Sequence, residues 1–318
     1  MRKIVILDGH TTNKGDLDWS PFDALGETVV FDRTPPELVR ERIGDADIVL
    51  TNKTDISEDV MDACPNLRYV GIMATGINVI DPAAARARGI TVTNVPNYSS
   101  DAVSQFVFAL LLELTNRVAL HDRAVHEGAW SRCPDFTFQL TPQIELNYLT
   151  MGIFGFGAIG MRVASIARAF GMRVIAHKRS VTSGEYKGVE HVDFPTLLAK
   201  SDVLSLHAPL TDETRGRFDR AAFRRMKPGA ILINTARGAL INEADLADAL
   251  NSGRLYGAAL DVSAVEPIAP DNPLLTARHC LLTPHMAFST KASRGRLLDA
   301  LVRNLEDYLA GEPSNVVN

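Results

Sequence analysis

The chain has 318 residues, of which 46% are hydrophobic and 22% charged, and its formal net charge is −5 at pH 7. At about 150 residues per domain, this length predicts two globular domains. The composition excludes a disordered chain, a collagen-like chain and a coiled coil. The mildly acidic balance argues against a dedicated nucleic-acid-binding protein, which needs a basic surface.

The three cysteines, Cys64, Cys133 and Cys280, include no pair at CxxC spacing. The sequence therefore predicts no metal site and no disulfide framework. The N-terminal apolar run, residues 4–7, is too short for the core of a signal peptide. The longest apolar stretch, residues 106–112, is far shorter than the roughly 20 residues of a membrane span. We therefore expect a cytoplasmic protein with no membrane partner.

Short β-branched runs alternate with helix-patterned segments along nearly the whole chain, in two series. This alternation predicts doubly wound α/β architecture, in which buried parallel strands have helices on both faces. The first series of predicted strands is 4–7, 28–31, 48–51, 69–73 and 91–94. The second is 151–154, 173–176, 203–207, 230–234, 257–261 and 280–283.

Two long helices and one irregular stretch complete the pattern. A helix over residues 101–126 is predicted between the two series, with Phe106, Leu110 and Leu114 on one face. An irregular stretch, residues 130–148, follows it. A final helix over 291–309 has no strand after it, so we expect it to pack on the first domain.

The segment TMGIFGFGAIG places Gly155, Gly157 and Gly160 in GxGxxG spacing, directly after a predicted strand and at the start of a helical pattern. In that context the motif predicts a dinucleotide-binding turn. Gly155 permits the tight turn, Gly157 lets the backbone approach the pyrophosphate, and Gly160 lets helix and strand pack closely. The phosphates are expected on the N–H groups at the helix N-terminus, at Ala158 and Ile159.

The next predicted strand ends without the acidic residue that usually accepts a hydrogen bond from the ribose 2′-hydroxyl of NAD. Lys178, Arg179 and Ser180 stand there instead. Because these side chains can pair with a 2′-phosphate, we expect NADP(H) to be preferred and NAD(H) to remain possible. The alternative is a solvated turn, with cofactor preference set elsewhere.

Polar residues also follow the last three predicted strands, where open α/β sheets bind their ligands. They are Arg237, Asp261, Glu266 and His285. An arginine there can grip a carboxylate with two hydrogen bonds, and a histidine paired with a glutamate is a proton donor near neutrality. Taken singly, each also fits a structural role: a surface ion pair, a capping carboxylate or a structural histidine.

Several motifs together are specific for one family. They are GFGAIG at Gly155, NTARGALIN at Asn234, AALDVSAVEP at Ala258 and TPHMAFST at Thr283, with ATGINVID and NVPNYSSDAVSQF in the N-terminal half. The chain resembles the D-isomer-specific 2-hydroxyacid dehydrogenase family over essentially its whole length. Within that family, TNKT at Thr51 and the Ala-Thr-Gly loop are most similar to glycerate dehydrogenases, also called hydroxypyruvate reductases.

The resemblance implies a flavodoxin-like substrate-binding domain, residues 1–100 plus 290–318, and an inserted Rossmann NAD(P)-binding domain, residues 101–289. It implies Arg237, Glu266 and His285 as the catalytic residues, with Arg237 and His285 also contacting substrate. It also implies that the backbone around Thr75, Gly76 and Ile77 forms the substrate carboxylate cradle. Lys53, on the loop after the third predicted strand, is a further candidate, and the alternative is an ordinary exposed lysine. Cofactor contacts are implied at His207, Ala208, Pro209, Thr235, Ala236, Asp261 and His285, with Asp261 against the nicotinamide carboxamide.

These residues predict a reductase that transfers a hydride between a nicotinamide cofactor and a small 2-oxo or 2-hydroxy acid, such as hydroxypyruvate or glyoxylate. We expect the cleft between the domains to close over both ligands. The alternatives are a dinucleotide-dependent corepressor or redox sensor on the same fold, and an enzyme for a bulky or phosphorylated acid. The aromatic residues of the irregular stretch, Trp130, Phe136, Phe138 and Tyr148, predict a homodimer interface, as does the resemblance.

Overall fold

The computed structural model describes residues 2–181 and 183–318. The chain divides into two compact units. One unit comprises the chain up to Ser99 together with Phe288–Asn318, and the other is Ser100–Ala287. Each unit is built on its own sheet, which is parallel in the first unit and mostly parallel in the second, with buried apolar clusters around it, as the alternating pattern of the sequence predicts.

The first unit contains a five-stranded parallel sheet in the order β2-β1-β3-β4-β5, which is the flavodoxin-like order. Alternate residues of β1 contact opposite clusters: Ile4 and Ile6 lie on one face, Val5 on the other. The strands are β1 Lys3–Ile6, β2 Glu27–Val30, β3 Ile48–Thr51, β4 Tyr69–Ile72 and β5 Thr91–Thr93; the helices are α1 Val39–Ile43, α2 Glu58–Ala63 and α3 Pro82–Ala87.

The second unit contains an eight-stranded sheet in the order β13-β12-β11-β10-β6-β7-β9-β8. The central six strands, numbered among themselves in chain order, follow the Rossmann order 3-2-1-4-5-6. The helices are α4 Ser100–Asn116, α5 Val118–His126, α6 Ala158–Ala169, α7 Phe194–Lys200, α8 Arg220–Arg225 and α9 Glu243–Asn251; the strands are β6 Thr150–Phe154, β7 Arg173–His177, β8 Gly184–Tyr186, β9 Val189–His191, β10 Val203–Leu206, β11 Ala230–Asn234, β12 Leu255–Leu260 and β13 Cys280–Leu282.

The final helix, α10 Lys291–Leu309, packs against the sheet of the first unit. Leu297, Leu301 and Leu305 recur every four residues, lie on one face and are fully buried. They contact the same cluster as Ile4 and Ile6. The helix begins at Lys291, where the Thr290 side chain accepts a hydrogen bond from a backbone N–H of the first turn.

The prediction of one helix over residues 101–126 is wrong, because the structure has two helices that meet at Arg117 in the left-handed conformation. In a continuous helix the carbonyl of Thr115 would accept a hydrogen bond from the N–H of Ala119. Here that carbonyl accepts from the N–H of Ile144, at 3.2 Å. The irregular stretch therefore terminates α4 by taking one of its backbone acceptors.

The antiparallel pair β8 and β9 was not predicted from the sequence, because each strand has only three residues. Elsewhere the predicted strands agree with the structure within two residues at each end. Within residues 2–181 and 183–318, no single helix is long and apolar enough to cross a membrane, although α4 and α5 together, bent by 56°, reach that length and composition.

Candidate active site

Three neighbouring strands of the second unit, β11, β12 and β13, end side by side at the same edge of the sheet. Arg237 follows β11, Asp261 follows β12, and His285 follows β13. Glu266 lies in the loop that Asp261 begins. The structure thus carries the four polar residues singled out in the sequence on three adjacent strand ends, where doubly wound folds bind ligands.

The Asp261 carboxylate, at 1% exposure, organises the turn that carries His285. Its Oδ1 accepts from the Thr283 hydroxyl at 2.6 Å and from the N–H of Met286 at 2.9 Å. Its Oδ2 accepts from the N–H of Ala287 at 2.8 Å. A carboxylate can accept about four hydrogen bonds, so these contacts leave capacity for one more donor.

His285 and Glu266 form a hydrogen-bonded ion pair, with Nδ1 of His285 2.7 Å from Oε2 of Glu266. Both side chains are about one-third exposed, which leaves the pair accessible to a ligand. The backbone of His285 is in the left-handed region, with φ of 50°. Such a conformation is unfavourable for a histidine and persists only where surrounding contacts fix it. The bonds from its N–H to the carbonyls of Asp261 and Thr283, at 2.8 and 3.0 Å, are among those contacts.

The loop bearing Arg237 is fixed by the buried side chain of Asn234. Its amide donates to the carbonyl of Arg237 at 2.8 Å, and its oxygen accepts from the N–H of Ala236 at 3.0 Å. At Gly238 a Cβ atom would lie only 1.9 Å from the carbonyl carbon of Ser263. Glycine is therefore required there, since it lets the Arg237 loop contact the loop that leads to Glu266.

The glycine turn after β6 has the geometry that its sequence predicts. Gly155 has φ of 97°, and a Cβ on it would lie 2.4 Å from the backbone nitrogen of Ala208. A Cβ on Gly160 would lie 2.4 Å from the carbonyl oxygen of Gly155. Gly157, by contrast, faces open space and begins α6 with no side-chain cap. The first N–H groups of α6, at Ala158 and Ile159, thus have no intrahelical partner and can bind an anion.

A cavity of about 640 Å³ opens beside this turn. Three strand-end segments line it: the glycine turn after β6, the residues after β7 and the loop after β10. Its volume and its lining at a helix N-terminus fit a dinucleotide. The lining residues include Gly155, Gly157, Lys178, Arg179, Ser180, His207, Ala208 and Pro209, which the sequence had assigned to the cofactor.

Two buried polar atoms near these segments also fit a bound cofactor. Burial lowers the pKa of His207 to about 3, so its ring is neutral at physiological pH. Its Nε2 is 2.8 Å from the Ser205 hydroxyl, whereas Nδ1 has no partner within the described residues. The Thr235 hydroxyl, next to half-buried Ala236, is likewise unpaired there. Buried polar atoms normally have a hydrogen-bond partner, which a ligand can supply.

The predicted substrate residues of the first unit follow its adjacent strands β3 and β4. Lys53 is exposed on a tight loop after β3. The buried Asp8 carboxylate holds this loop by accepting a hydrogen bond from the backbone N–H of Lys53 at 2.6 Å. Thr75 donates its hydroxyl to the carbonyl of Val95 at 2.8 Å. These contacts fix the backbone on either side of the Lys53 and Thr75 loops. Gly76 and Ile77 follow directly after Thr75.

Several residues of these sites were missed by the sequence analysis. Glu213 and Arg217 line the cofactor cavity from the loop after β10. Asn234 and Thr283 hold the loops of Arg237 and His285, and both lie within the quoted motifs. Their position at strand ends was a usable signal, but a single sequence does not say which strand-end polar residues bind ligands and which bind backbone.

The chain is similar to known proteins of one family. The protein-family model described as "D-isomer specific 2-hydroxyacid dehydrogenase, NAD binding domain" matches residues 108–287 of this chain. The chain is 49% identical to a hydroxypyruvate reductase of Blautia hydrogenotrophica, with 99% of each chain covered. This chain belongs to the D-isomer-specific 2-hydroxyacid dehydrogenase family. The resemblance inferred from the motifs is thereby confirmed.

Two further relatives extend the comparison. A glycerate dehydrogenase of Methylorubrum extorquens is 37% identical over 99% of both chains. The solved structure of an acyclic imino acid reductase in complex with NADPH and D-Arg superposes with a TM-score of 0.87, at 32% identity, over 99% of this chain and 100% of the other. The present chain is therefore an NAD(P)-dependent oxidoreductase, and its predicted flavodoxin-like and Rossmann folds are confirmed. The alternative of a corepressor or redox sensor is not favoured.

The contacts of Asp261 generate a stability prediction. In Asp261→Asn one oxygen becomes an NH₂ group, which must face at least one of the three donors. A buried unsatisfied donor costs about 1–3 kcal/mol, and we expect the free energy of unfolding from urea titration to fall by that amount. Asp271→Asn, at an exposed position of the same unit, is the matched control and should change stability by less than about 0.5 kcal/mol. Equal stabilities of the two variants would contradict the network.

Proposed function

We propose that the enzyme reduces a small 2-oxo acid, such as hydroxypyruvate or glyoxylate, to the D-2-hydroxy acid. The observation that carries this proposal is the 2.7 Å pair of His285 and Glu266 on the strand ends beside the Arg237 loop. The substrate class is supported by the hydroxypyruvate reductase and glycerate dehydrogenase relatives. A cytoplasmic location stays a prediction.

Arg237 binds the carboxylate of the substrate in this proposal. Its guanidinium bonds only one protein acceptor among the described residues, the carbonyl of Ala236 at 2.7 Å. A guanidinium has five N–H donors in a planar fork, so most of them are left for a ligand. In the first unit, Lys53 and the backbone of residues 75–77 are proposed as further ligands of the substrate carboxylate.

His285 transfers the proton in this mechanism. A nicotinamide cofactor held in the cavity beside the glycine turn would supply a hydride for the carbonyl carbon of the substrate. The imidazolium of His285 donates its Nε2 proton to the carbonyl oxygen, which gives the hydroxyl group of the product. Glu266 favours the charged imidazolium and fixes its orientation through Nδ1. In the oxidation direction, neutral His285 accepts the same proton.

We predict that His285→Ala lowers kcat by roughly 10²–10⁴-fold, the usual contribution of a general acid, while the cofactor still binds. The assay is oxidation of NADPH and NADH with a panel of small, bulky and phosphorylated 2-oxo acids. His279→Asn changes an exposed histidine at the other end of β13 and should leave kcat unchanged. Near-normal turnover by His285→Ala would exclude His285 as the acid, and no turnover by the wild type with any acid would refute the proposed function.

We also propose that NADP(H) is preferred over NAD(H). The cavity is lined by the cations Lys178, Arg179 and Arg217, with Ser180 beside them. Glu213 is the acidic residue of this lining, and it pairs with Arg179 at 3.3 Å. Because both partners are more than 70% exposed, this ion pair contributes less than about 1 kcal/mol. A phosphate dianion can therefore replace Glu213 as the partner of Arg179.

The preference follows from the strength of charge-assisted hydrogen bonds. Each one to phosphate is worth about 1.5–3 kcal/mol before desolvation. One net bond therefore corresponds to a preference of about tenfold or more, since 1.4 kcal/mol is a factor of ten. Lys178 adds a further positive charge to the cavity lining. Its Nζ lies 5.0 Å from the ring centroid of Tyr186. The solved structure of the imino acid reductase in complex with NADPH is consistent with this proposal.

We predict that kcat/KM with NADPH exceeds that with NADH by about tenfold or more on one substrate, and that Arg179→Ala removes most of this preference. The variant loses the guanidinium that forks onto the 2′-phosphate. Arg215→Ala, in the same loop region but outside the cavity lining, is the control and should keep the preference. Equal use of both cofactors by the wild type would refute the proposal.

A homodimer is proposed from the apolar surface of the second unit. Helix α5 has no buried residue, and the irregular stretch after it presents large apolar side chains to solvent. Exposed apolar surface on this scale is typical of a protein interface, and symmetric dimers are the commonest oligomers. The exposed fractions are 63% for Val118, 52% for Trp130, 88% for Phe136, 49% for Leu140 and 74% for Tyr148, whereas Phe138 is half-buried.

Sedimentation equilibrium at micromolar concentration should give twice the 34.7 kDa mass of the chain. Phe136→Asp should shift the protein toward monomer, because a carboxylate would be buried without a partner at the interface. Leu275→Asp changes a residue that is 48% exposed outside this stretch and should leave the dimer intact. A monomeric wild type would refute the proposal.

A further inference from the structure

The loop from Ser263 to Glu266 contains no helix or strand, yet it must hold Glu266 against His285. A carboxylate from another element secures it. Glu243 is the first residue of α9, and its Oε1 accepts from the Ser263 hydroxyl at 2.9 Å and from the N–H of Ala264 at 2.8 Å. Its Oε2 accepts from the side-chain amide of Asn272 at 2.8 Å. One side chain thus receives three hydrogen bonds from the loops on either side of Glu266.

Ser263 connects this anchor to both parts of the candidate active site. Its N–H donates to Oε1 of Glu266 at 3.2 Å, while Oε2 of Glu266 faces His285. On its other side the backbone of Ser263 lies against Gly238, next to Arg237, with no room for a Cβ. A displacement of Ser263 would therefore move the partner of His285 and the backbone next to Arg237.

We propose that Glu243 is a positioning residue, which holds the Ser263–Glu266 loop so that Glu266 keeps the orientation that supports the His285 imidazolium. It binds Ser263, Ala264 and Asn272 directly and acts on the pair through them. The inference rests on the proposed function in one respect, namely that His285 and Glu266 act as the acid–base pair.

The hydrogen-bonding pattern explains why a carboxylate is needed at this position. All three partners of Glu243 are donors, and a carboxylate is the side chain that only accepts. Asn272 cannot turn its oxygen toward a glutamine, because that oxygen accepts from the N–H of Leu274 at 3.0 Å. In Glu243→Gln, one donor is therefore opposed by another donor.

The charged and titratable groups around this network come from four elements. Asp261 lies under the turn of His285, Arg237 directly precedes Gly238, and Glu266 faces His285 directly. Cys280 is close to Glu243: burial raises the pKa of its thiol to about 12, and the charge of Glu243 adds to that rise. Loss of the Glu266 alignment and loss of the Glu243 charge both weaken the attraction between the His285 imidazolium and nearby negative charge.

The test compares three full-length variants with the wild type. Glu243→Gln creates the donor–donor opposition. The double variant Glu243→Gln with Asn272→Asp removes it, because an aspartate can accept from both the glutamine amide and the N–H of Leu274. Asp248→Asn removes a charge from the exposed face of the same helix, where Asp248 pairs with Arg220 at 2.6 Å, and serves as the matched control.

The primary readout is the titration of His285 by NMR on the chain without added cofactor or substrate. The eight histidines are resolved by labelling, and His285 is assigned by its loss in His285→Ala. We expect a lower midpoint for Glu243→Gln and a return to the wild-type midpoint in the double variant. We expect kcat to fall about tenfold and to recover in parallel, since misplacement of a catalytic group by 1 Å can cost about 10²-fold. Asp248→Asn should match the wild type.

An unchanged His285 midpoint in Glu243→Gln, with only a lower Tm, would overturn the inference. So would a folded double variant that shows no recovery. If Glu243→Gln fails to fold, Ser263→Ala replaces it, because this variant removes only the hydrogen bond from the Ser263 hydroxyl to Glu243. An unchanged His285 midpoint in Ser263→Ala would also overturn the inference. The titration needs no turnover, so the two failures can be told apart. The proposed function fails if the wild type reduces no 2-oxo acid, whereas this inference fails if the His285 midpoint does not respond to the variants.

Discussion

The buried residue Asp261 connects the three strand ends on which the candidate active site depends. Its N–H donates to the carbonyl of Asn234 at the end of β11, at 2.9 Å. Its carbonyl accepts from the N–H of His285, and its carboxylate accepts from the hydroxyl of Thr283 and two further N–H groups of the same turn. A buried carboxylate is tolerated only where it is hydrogen-bonded, so the turn and the carboxylate stabilise each other.

This constraint explains why a histidine can occupy the left-handed region in that turn. The unfavourable backbone conformation of His285 is fixed by donors and acceptors from both sides, and its ring is fixed by Glu266. The ring can then keep its orientation while about one-third of the side chain stays exposed. The same arrangement allows Asp261 to accept one further donor, as the expected contact with a carboxamide requires.

Much of the fold could be predicted from the sequence, because buried parallel strands are continuous apolar runs and the glycine spacing reflects a steric requirement. Gly155 and Gly160 are each surrounded by backbone atoms that exclude a Cβ, and such restrictions are visible in a single sequence. The break between α4 and α5 could not be predicted in this way. It depends on Ile144, which is far along the chain and takes the carbonyl of Thr115. The three-residue strands β8 and β9 are too short for a periodic pattern.

The candidate site was predictable to a similar extent. Residues at strand ends within recognised motifs, such as Arg237 and His285, were found because their chemistry and position agree. Glu243 was missed because it lies at a helix start, where an acidic residue has an ordinary explanation in the helix dipole. Glu213 and Arg217 were missed because only the folded loop shows that they line the cavity. Side chains that bind other side chains leave no local pattern.

Amide hydrogen exchange at Met286 and Ala287 tests most directly whether Asp261 holds the turn of His285. Both N–H groups lie in a segment without helix or strand, but each donates to the Asp261 carboxylate. The account predicts that both exchange slowly, at rates near those of the neighbouring strand β12, in the chain without ligands. Exchange as fast as that of the exposed residue Val265 would show that the turn is not held in this way, and would contradict the account.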